Sequence, residues 1–241
     1  MTEFIESTII TPPGGLPQRP PVTHFVSDCD GVLIDSEAVA LDALLDTLQH
    51  LVSDRERLAA HIRPRLGQQL EPLLAEVFPE LGLAPPGAAE RAAIRVAVEA
   101  ECDRRLSAVP GVAQALAAIP LPKAVASNSS NVRVHEALER TGLAPLFGGR
   151  IFTADIVSHP KPHPAVYLAA AHGFGVAPAF CVAVEDSVTG VTAAAAAGML
   201  VLGFIGGGHI TAGQAQRLLD AGAHACFADM ALLPGLVASL S

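Results

Sequence analysis

Two aspartates one residue apart, Asp28 and Asp30, close an apolar run in FVSDCDGVLIDSE, residues 25–37. Aspartate forms strands poorly and is costly to bury, so such a pair at the end of a buried strand demands compensation. Three further apolar runs lead into reactive groups. Ser127-Asn128-Ser129 closes KAVAS, Lys161 lies in HPKPHP after RIFT, and Glu185-Asp186 closes CVAVE. Residues i and i+2 of an extended chain point to the same side, which lets Asp28 and Asp30 face one site. Four carboxylates gathered there repel one another unless a cation sits among them, and an all-oxygen donor set favours Mg²⁺. Lys161 and Ser127 then form a clamp for an anion, most naturally a phosphoryl group held by that metal.

The elements that must position these groups are visible in the same pattern. After Pro110, short apolar strands alternate with Ala-rich helices: KAVAS (123–127), RIFT (150–153), CVAVE (181–185), LVLGF (200–204) and HACF (224–227). Helical stretches are expected at Val132–Thr141, stopped by Gly142, and at Pro164–His172, stopped by Gly173. Near-continuous apolar strands separated by helices imply a parallel sheet covered on both faces. In such sheets ligands bind beyond the carboxyl ends of the strands, where every reactive group named above falls. The expected fold is therefore a doubly wound, Rossmann-like α/β core built from residues 23–35 and 108–241. Residues 36–107 hold 20 of the chain's 39 Asp, Glu, Lys and Arg residues. Apolar positions there, such as Leu41, Leu44, Leu45 and Leu48, keep helical spacing, so this segment reads as an inserted all-helical domain. Residues 1–22, with TPPGGLPQRPP, read as a flexible tail with no core of its own.

Composition narrows the partners. The formal net charge is −9 and the only lysines are Lys123 and Lys161, which argues against nucleic acid and against a polybasic membrane surface. Cys29, Cys102, Cys181 and Cys226 are scattered without a C-x-x-C pair, so neither a disulfide framework nor a zinc site is expected and a reducing cytoplasm fits. The first residues lack the basic and apolar regions of a signal peptide.

The motifs as a set resemble the haloacid dehalogenase superfamily of phosphohydrolases over about residues 23–238. DCDGVLIDSE is similar to its first motif, VASNSS to its second, KPHP to its third and VEDSVTGVTAAAAAGM to its fourth. The helical insertion is similar to the cap of the subgroup containing β-phosphoglucomutase and small sugar-phosphate phosphatases. The resemblance implies that Asp28 is the nucleophile forming an aspartyl-phosphate, and that Asp30 is the general acid and then the base. It implies that Asp28, the Asp30 carbonyl and Asp186 hold Mg²⁺ with support from Glu185, and that Ser127 and Lys161 bind phosphoryl oxygens with help from Asn128. A carboxylate attacks phosphorus competently once cations neutralise the phosphate, and a closing cap excludes water until the second step.

Some positions depart from the pattern. β-Phosphoglucomutases carry a His ten residues beyond the second Asp, where Ala40 stands here. The cap loop shows Gly67-Gln68-Gln69, whose glutamines can bond sugar hydroxyls but supply no charge. These three are the candidate specificity residues. The Gly-rich GFIGGGH (203–209) is a second phosphate cradle or the border of the one site. The expected function is a Mg²⁺-dependent phosphatase of a small phosphorylated metabolite, working as a monomer or weak homodimer. A phosphosugar mutase with the same phosphoenzyme is the alternative. A receiver-like signalling or phosphate-binding domain is a third reading, opposed by the order of the acidic residues.

Overall fold

In the computed structural model, residues 9–11, 20–65, 70–208, 210 and 212–241 are described. The chain divides into two compact units, one formed by the described parts of Met1–Ile34 with Ala108–Ser241, the other by Asp35–Ser107.

The first unit is built on a sheet of strands β1 (Ile9–Ile10), β2 (His24–Ser27), β3 (Lys123–Ser127), β4 (Ile151–Thr153), β5 (Cys181–Glu185), β6 (Leu200–Phe204) and β7 (Ala225–Phe227). Their order is β1-β7-β6-β5-β2-β3-β4. All neighbours are parallel except β1, which runs antiparallel to β7. The helices of this unit are α5 (Val112–Ala118), α6 (Asn131–Arg140), α7 (Ala165–Phe174), α8 (Val188–Ala196), α9 (Gln214–Asp220) and α10 (Leu233–Ala238). Alternate strand residues Ala124, Ala126, Cys181, Ala183, Val201 and Cys226 pack in one layer with Val166, Tyr167, Val191 and Leu218 of α7, α8 and α9. The intervening residues Phe25, Val125, Val182, Val184, Leu202 and Phe227 are equally buried, which is why these strands read as unbroken apolar runs.

Two helix ends show how local chemistry sets the fold. Gly142 takes φ 72° directly after α6, ending it as expected. Helix α7 runs through Gly173, and its left-handed cap is Gly175 at φ 73°. The reason for glycine at 173 is space, since a Cβ there would overlap the Phe152 ring of β4.

The tail departs from its expected lack of structure at two places. Ile9 and Ile10 pair with Phe227 and Cys226 on the edge of the sheet. Val22 is buried and its N–H donates to the Leu240 carbonyl at 2.8 Å. Backbone groups make both pairings, and the Ile10 and Val22 side chains pack inward beside them, none of which a Pro/Gly-rich composition reports.

The second unit comprises α1 (Ser36–Leu48), α2 (Arg55–Ile62), α3 (Leu70–Glu80) and α4 (Ala88–Arg105). Its core is Leu41, Leu44, Leu45, Leu48, Leu58, Ile62, Leu74, Val77, Phe78 and Ile94. Its charges form surface pairs, such as Arg55 with Asp42 and Asp46, and Arg65 with Glu76 and Glu80. Gly67, Gln68 and Gln69 lie outside the described residues. Among the described residues no helix is long and apolar enough to cross a membrane.

Candidate active site

The register of the sheet sets the site. Ser27 of β2 is level with Val184 of β5, and the Asp28 N–H continues the ladder by donating to the Val184 carbonyl at 2.9 Å. Asp28 and Glu185 therefore leave adjacent strands side by side. The chain then turns back at once. The Leu33 and Ile34 N–H groups donate to the Cys29 carbonyl, and Gly31 occupies φ 82°, a conformation that favours glycine.

Lys161 sits at the centre. Its ammonium donates to Asp28 Oδ1 at 2.5 Å, to Glu185 Oε1 at 2.6 Å and to the Ala126 carbonyl at 2.8 Å, so all three N–H bonds are engaged. Burial alone would pull this lysine down, but the Asp28 and Glu185 carboxylates hold it well above the ordinary range and it stays charged. Its loop is fixed by Asn128. The Lys161 N–H donates to Asn128 Oδ1 at 2.8 Å, and Asn128 Nδ2 donates to the Lys161 carbonyl at 3.2 Å. Asn128 thus braces the Lys161 backbone, and its amide keeps a second N–H for the phosphoryl contact expected of it.

Glu185 is fully buried and fully bonded. Oε1 accepts from Lys161 and from the Tyr167 hydroxyl at 2.6 Å, while Oε2 accepts from the Ser187 N–H at 3.3 Å and its Oγ at 3.1 Å. Burial, then Glu185 and Asp28, push the Tyr167 phenol well above its usual range, so it acts as a neutral donor. Tyr167 was missed in the sequence, where it is one more buried position of α7. Gly190 opens the space for this carboxylate, since a Cβ there would overlap it.

Asp28, Glu185 and Asp186 bring carboxylate oxygens within 4.8 Å of one another, all buried. The expectation of four clustered carboxylates is corrected to three. Asp30 turns its carboxylate to the β3–α6 connection instead, where Ser129 Oγ donates to Oδ2 at 2.7 Å and Arg133 Nη2 faces Oδ1 at 3.4 Å. The chain has left the strand by then, so the two-residue alternation no longer applies. The cluster thus concentrates acidic groups beside the Lys161 ammonium in a buried site. Burial first, then Glu185 and Asp186, raise the Asp28 carboxyl well above the usual range in spite of Lys161. These buried carboxylate oxygens form a set that could hold a metal ion, and an all-oxygen set suits a hard divalent cation.

Ser127 is buried at the end of β3 and its Oγ accepts from the Ser129 N–H at 3.0 Å. Cys29 is buried between the two aspartates. Burial, then Asp30 and Asp28, push its thiol well up, so it does not compete as a nucleophile. In the Gly-rich loop, Gly206 is required by a close approach to the Ala228 carbonyl, a packing reason that needs no phosphate. His209 lies outside the described residues.

Comparison with known proteins agrees with this architecture. A haloacid dehalogenase-like hydrolase family model matches residues 22–198. The chain is 34% identical over 180 residues to hexitol phosphatase B of Escherichia coli (strain K12), covering 72% of this chain and 79% of that protein. It is 28% identical over 184 residues to the 6-phosphogluconate phosphatase of the same strain, covering 76% and 82%. The structure of a HAD family hydrolase from Deinococcus radiodurans R1, solved with bound phosphate and sodium, aligns with TM-score 0.81 at 30% identity. That alignment covers 91% of this chain and 96% of the other. On the sheet order, the site and these matches, the chain belongs to the haloacid dehalogenase-like family of hydrolase enzymes.

Proposed function

We propose that this hydrolase is a Mg²⁺-dependent phosphatase of a small phosphorylated metabolite, a sugar phosphate or sugar-alcohol phosphate, acting through an aspartyl-phosphate on Asp28. The observation that carries the proposal is the buried cluster of Asp28, Glu185 and Asp186 around the Lys161 ammonium at the carboxyl edge of the sheet. The relatives named above act on phosphorylated hexitols and 6-phosphogluconate, which supports that substrate class.

In this reading Asp28, the Asp30 carbonyl and Asp186 hold the metal, which when bound neutralises charge on the phosphoryl oxygens. Glu185 supports that site from behind, its oxygens accepting from Lys161, Tyr167 and Ser187. An Asp28 oxygen attacks phosphorus, the phosphorus–ester oxygen bond breaks, and Asp30 gives a proton to the departing oxygen. Water then attacks the aspartyl-phosphate and gives its proton to Asp30, and inorganic phosphate leaves with Asp28 restored. Ser127 binds phosphoryl oxygens, and Lys161 orients Asp28 and balances its charge. Gly67, Gln68 and Gln69 are proposed as specificity residues on sequence grounds. The four free cysteines, three of them buried, suit a reducing cytoplasm.

A panel of phosphorylated hexitols, sugar acids and hexoses, with Mg²⁺ and with excess chelator, tests this function. Free phosphate released only with metal supports it. Isomerised product without net phosphate release would select the mutase instead, and full turnover in chelator would remove the metal from the account.

A further inference from the structure

We propose that Ser129 and Arg133 are positioning residues that aim the Asp30 carboxyl at the leaving-group oxygen, and so set how strongly turnover depends on the leaving group. The inference rests on the acid–base role proposed for Asp30. That carboxylate stands apart from the buried cluster, with about a third of its side chain exposed (32%). An aspartate outside a packed cluster has two side-chain torsions to restrain before its oxygens can meet a reacting atom reproducibly. Here a hydroxyl donates to Oδ2 at 2.7 Å and a guanidinium faces Oδ1 at 3.4 Å.

The groups that hold Asp30 are themselves held. The Ser129 N–H donates to Ser127 Oγ at 3.0 Å. Ser130 caps α6 by accepting from the Arg133 N–H at 3.4 Å. The Asn131 N–H donates to both oxygens of Asp155, whose Oδ1 also accepts from Thr153 Oγ1 at the end of β4. One braced segment, Ser127 to Arg133, thus carries a phosphoryl-side residue at one end and the partners of Asp30 at the other. Asp30 is thereby registered against Ser127, and through it against the phosphoryl position, although it reaches this segment from another strand.

The two contacts differ in strength. The Ser129 bond is short and partly buried, whereas the Arg133 contact is long and Arg133 is largely exposed, so water and salt weaken it. Ser129 should therefore carry most of the effect, with Arg133 secondary.

The test is single-turnover release of the phenol from 4-nitrophenyl phosphate and from phenyl phosphate, with Mg²⁺, in full-length wild type, Ser129→Ala, Arg133→Ala, Arg133→Lys and Asp30→Asn. Nitrophenolate departs without a proton, while the phenol of phenyl phosphate needs one. The ratio of the two rates should rise about tenfold in Ser129→Ala, below the roughly 10²–10⁴-fold rise expected in Asp30→Asn, where general-acid catalysis is lost altogether. It should rise a few-fold in Arg133→Ala, less in Arg133→Lys, with KM for both substrates near wild type. Equal losses on both substrates, or an unchanged ratio, in Ser129→Ala and Arg133→Ala would overturn the positioning role. If those variants leave the ratio unchanged while Asp30→Asn raises it, the positioning inference alone fails. If Asp30→Asn leaves it unchanged as well, the acid–base reading fails and takes this inference with it. Arg133 is exposed, so its variants keep the test decisive if Ser129→Ala folds poorly.

Discussion

Gly190→Ala is an informative perturbation, because two opposite effects compete at one methyl group. Residue 190 lies in the first turn of α8 with an ordinary helical backbone, and alanine in a helix is favoured over glycine by about 1 kcal/mol. Helix propensity alone thus predicts a more stable protein. The added Cβ, however, would overlap the Glu185 carboxylate. That carboxylate accepts from Lys161, Tyr167 and both donors of Ser187, so it has no free direction in which to move. Displacing it breaks at least two bonds to a buried charged group at about 1.5–3 kcal/mol each, roughly 3–6 kcal/mol in all. After subtracting about 1 kcal/mol for helix propensity, the net loss is on the order of 2–5 kcal/mol. Lys161 also loses one of its two carboxylate partners, so turnover should fall together with stability. Denaturant unfolding followed by circular dichroism, with kinetics on the same preparations, reads both. A Gly190→Ala protein as stable and as active as wild type would refute the packing of Glu185 described here.

Two smaller perturbations probe neighbouring claims. Tyr167→Phe removes one donor to the Glu185 carboxylate while Lys161 remains, so stability should drop by about 1.5–3 kcal/mol and kcat should fall with KM unchanged; unaltered kcat in steady-state assays would show that Glu185 needs no phenol to hold Lys161. Removing residues 1–11 deletes the two-residue pairing of β1 with β7 and should cost no more than about 1 kcal/mol in a denaturant titration, with turnover intact. A larger loss would give the tail a structural weight beyond that edge strand.

Much of the fold was legible in the sequence because its strands are buried on both faces. β3, β5 and β6 span the apolar runs 123–127, 181–185 and 200–204 read from composition and flanking Gly and Pro. Glycine was legible where it ends a helix, as at Gly142, and illegible where it answers a distant side chain, as at Gly173 against Phe152 and Gly190 against Glu185. β1 went unread because two residues are too short a run to show strand periodicity, although Ile10 packs on the core. In the site, residue types at strand ends located Asp28, Ser127, Lys161, Glu185 and Asp186. Their pairings were not legible. The turn after Asp28 carries the Asp30 side chain to Ser129, 99 positions away, and Asn128 braces the Lys161 backbone with its amide. Such contacts depend on where the chain goes after a strand ends, which periodicity does not encode.

The central claim is that Asp28 attacks phosphorus. Rapid quench of the enzyme with substrate and Mg²⁺, followed by borohydride reduction and peptide mass spectrometry, tests it most directly. An acyl phosphate on Asp28 is reduced to homoserine, so the account predicts homoserine at position 28 in wild type and none in Asp28→Asn or without metal. Turnover with no reducible residue at position 28, or with the label on another side chain, would contradict it.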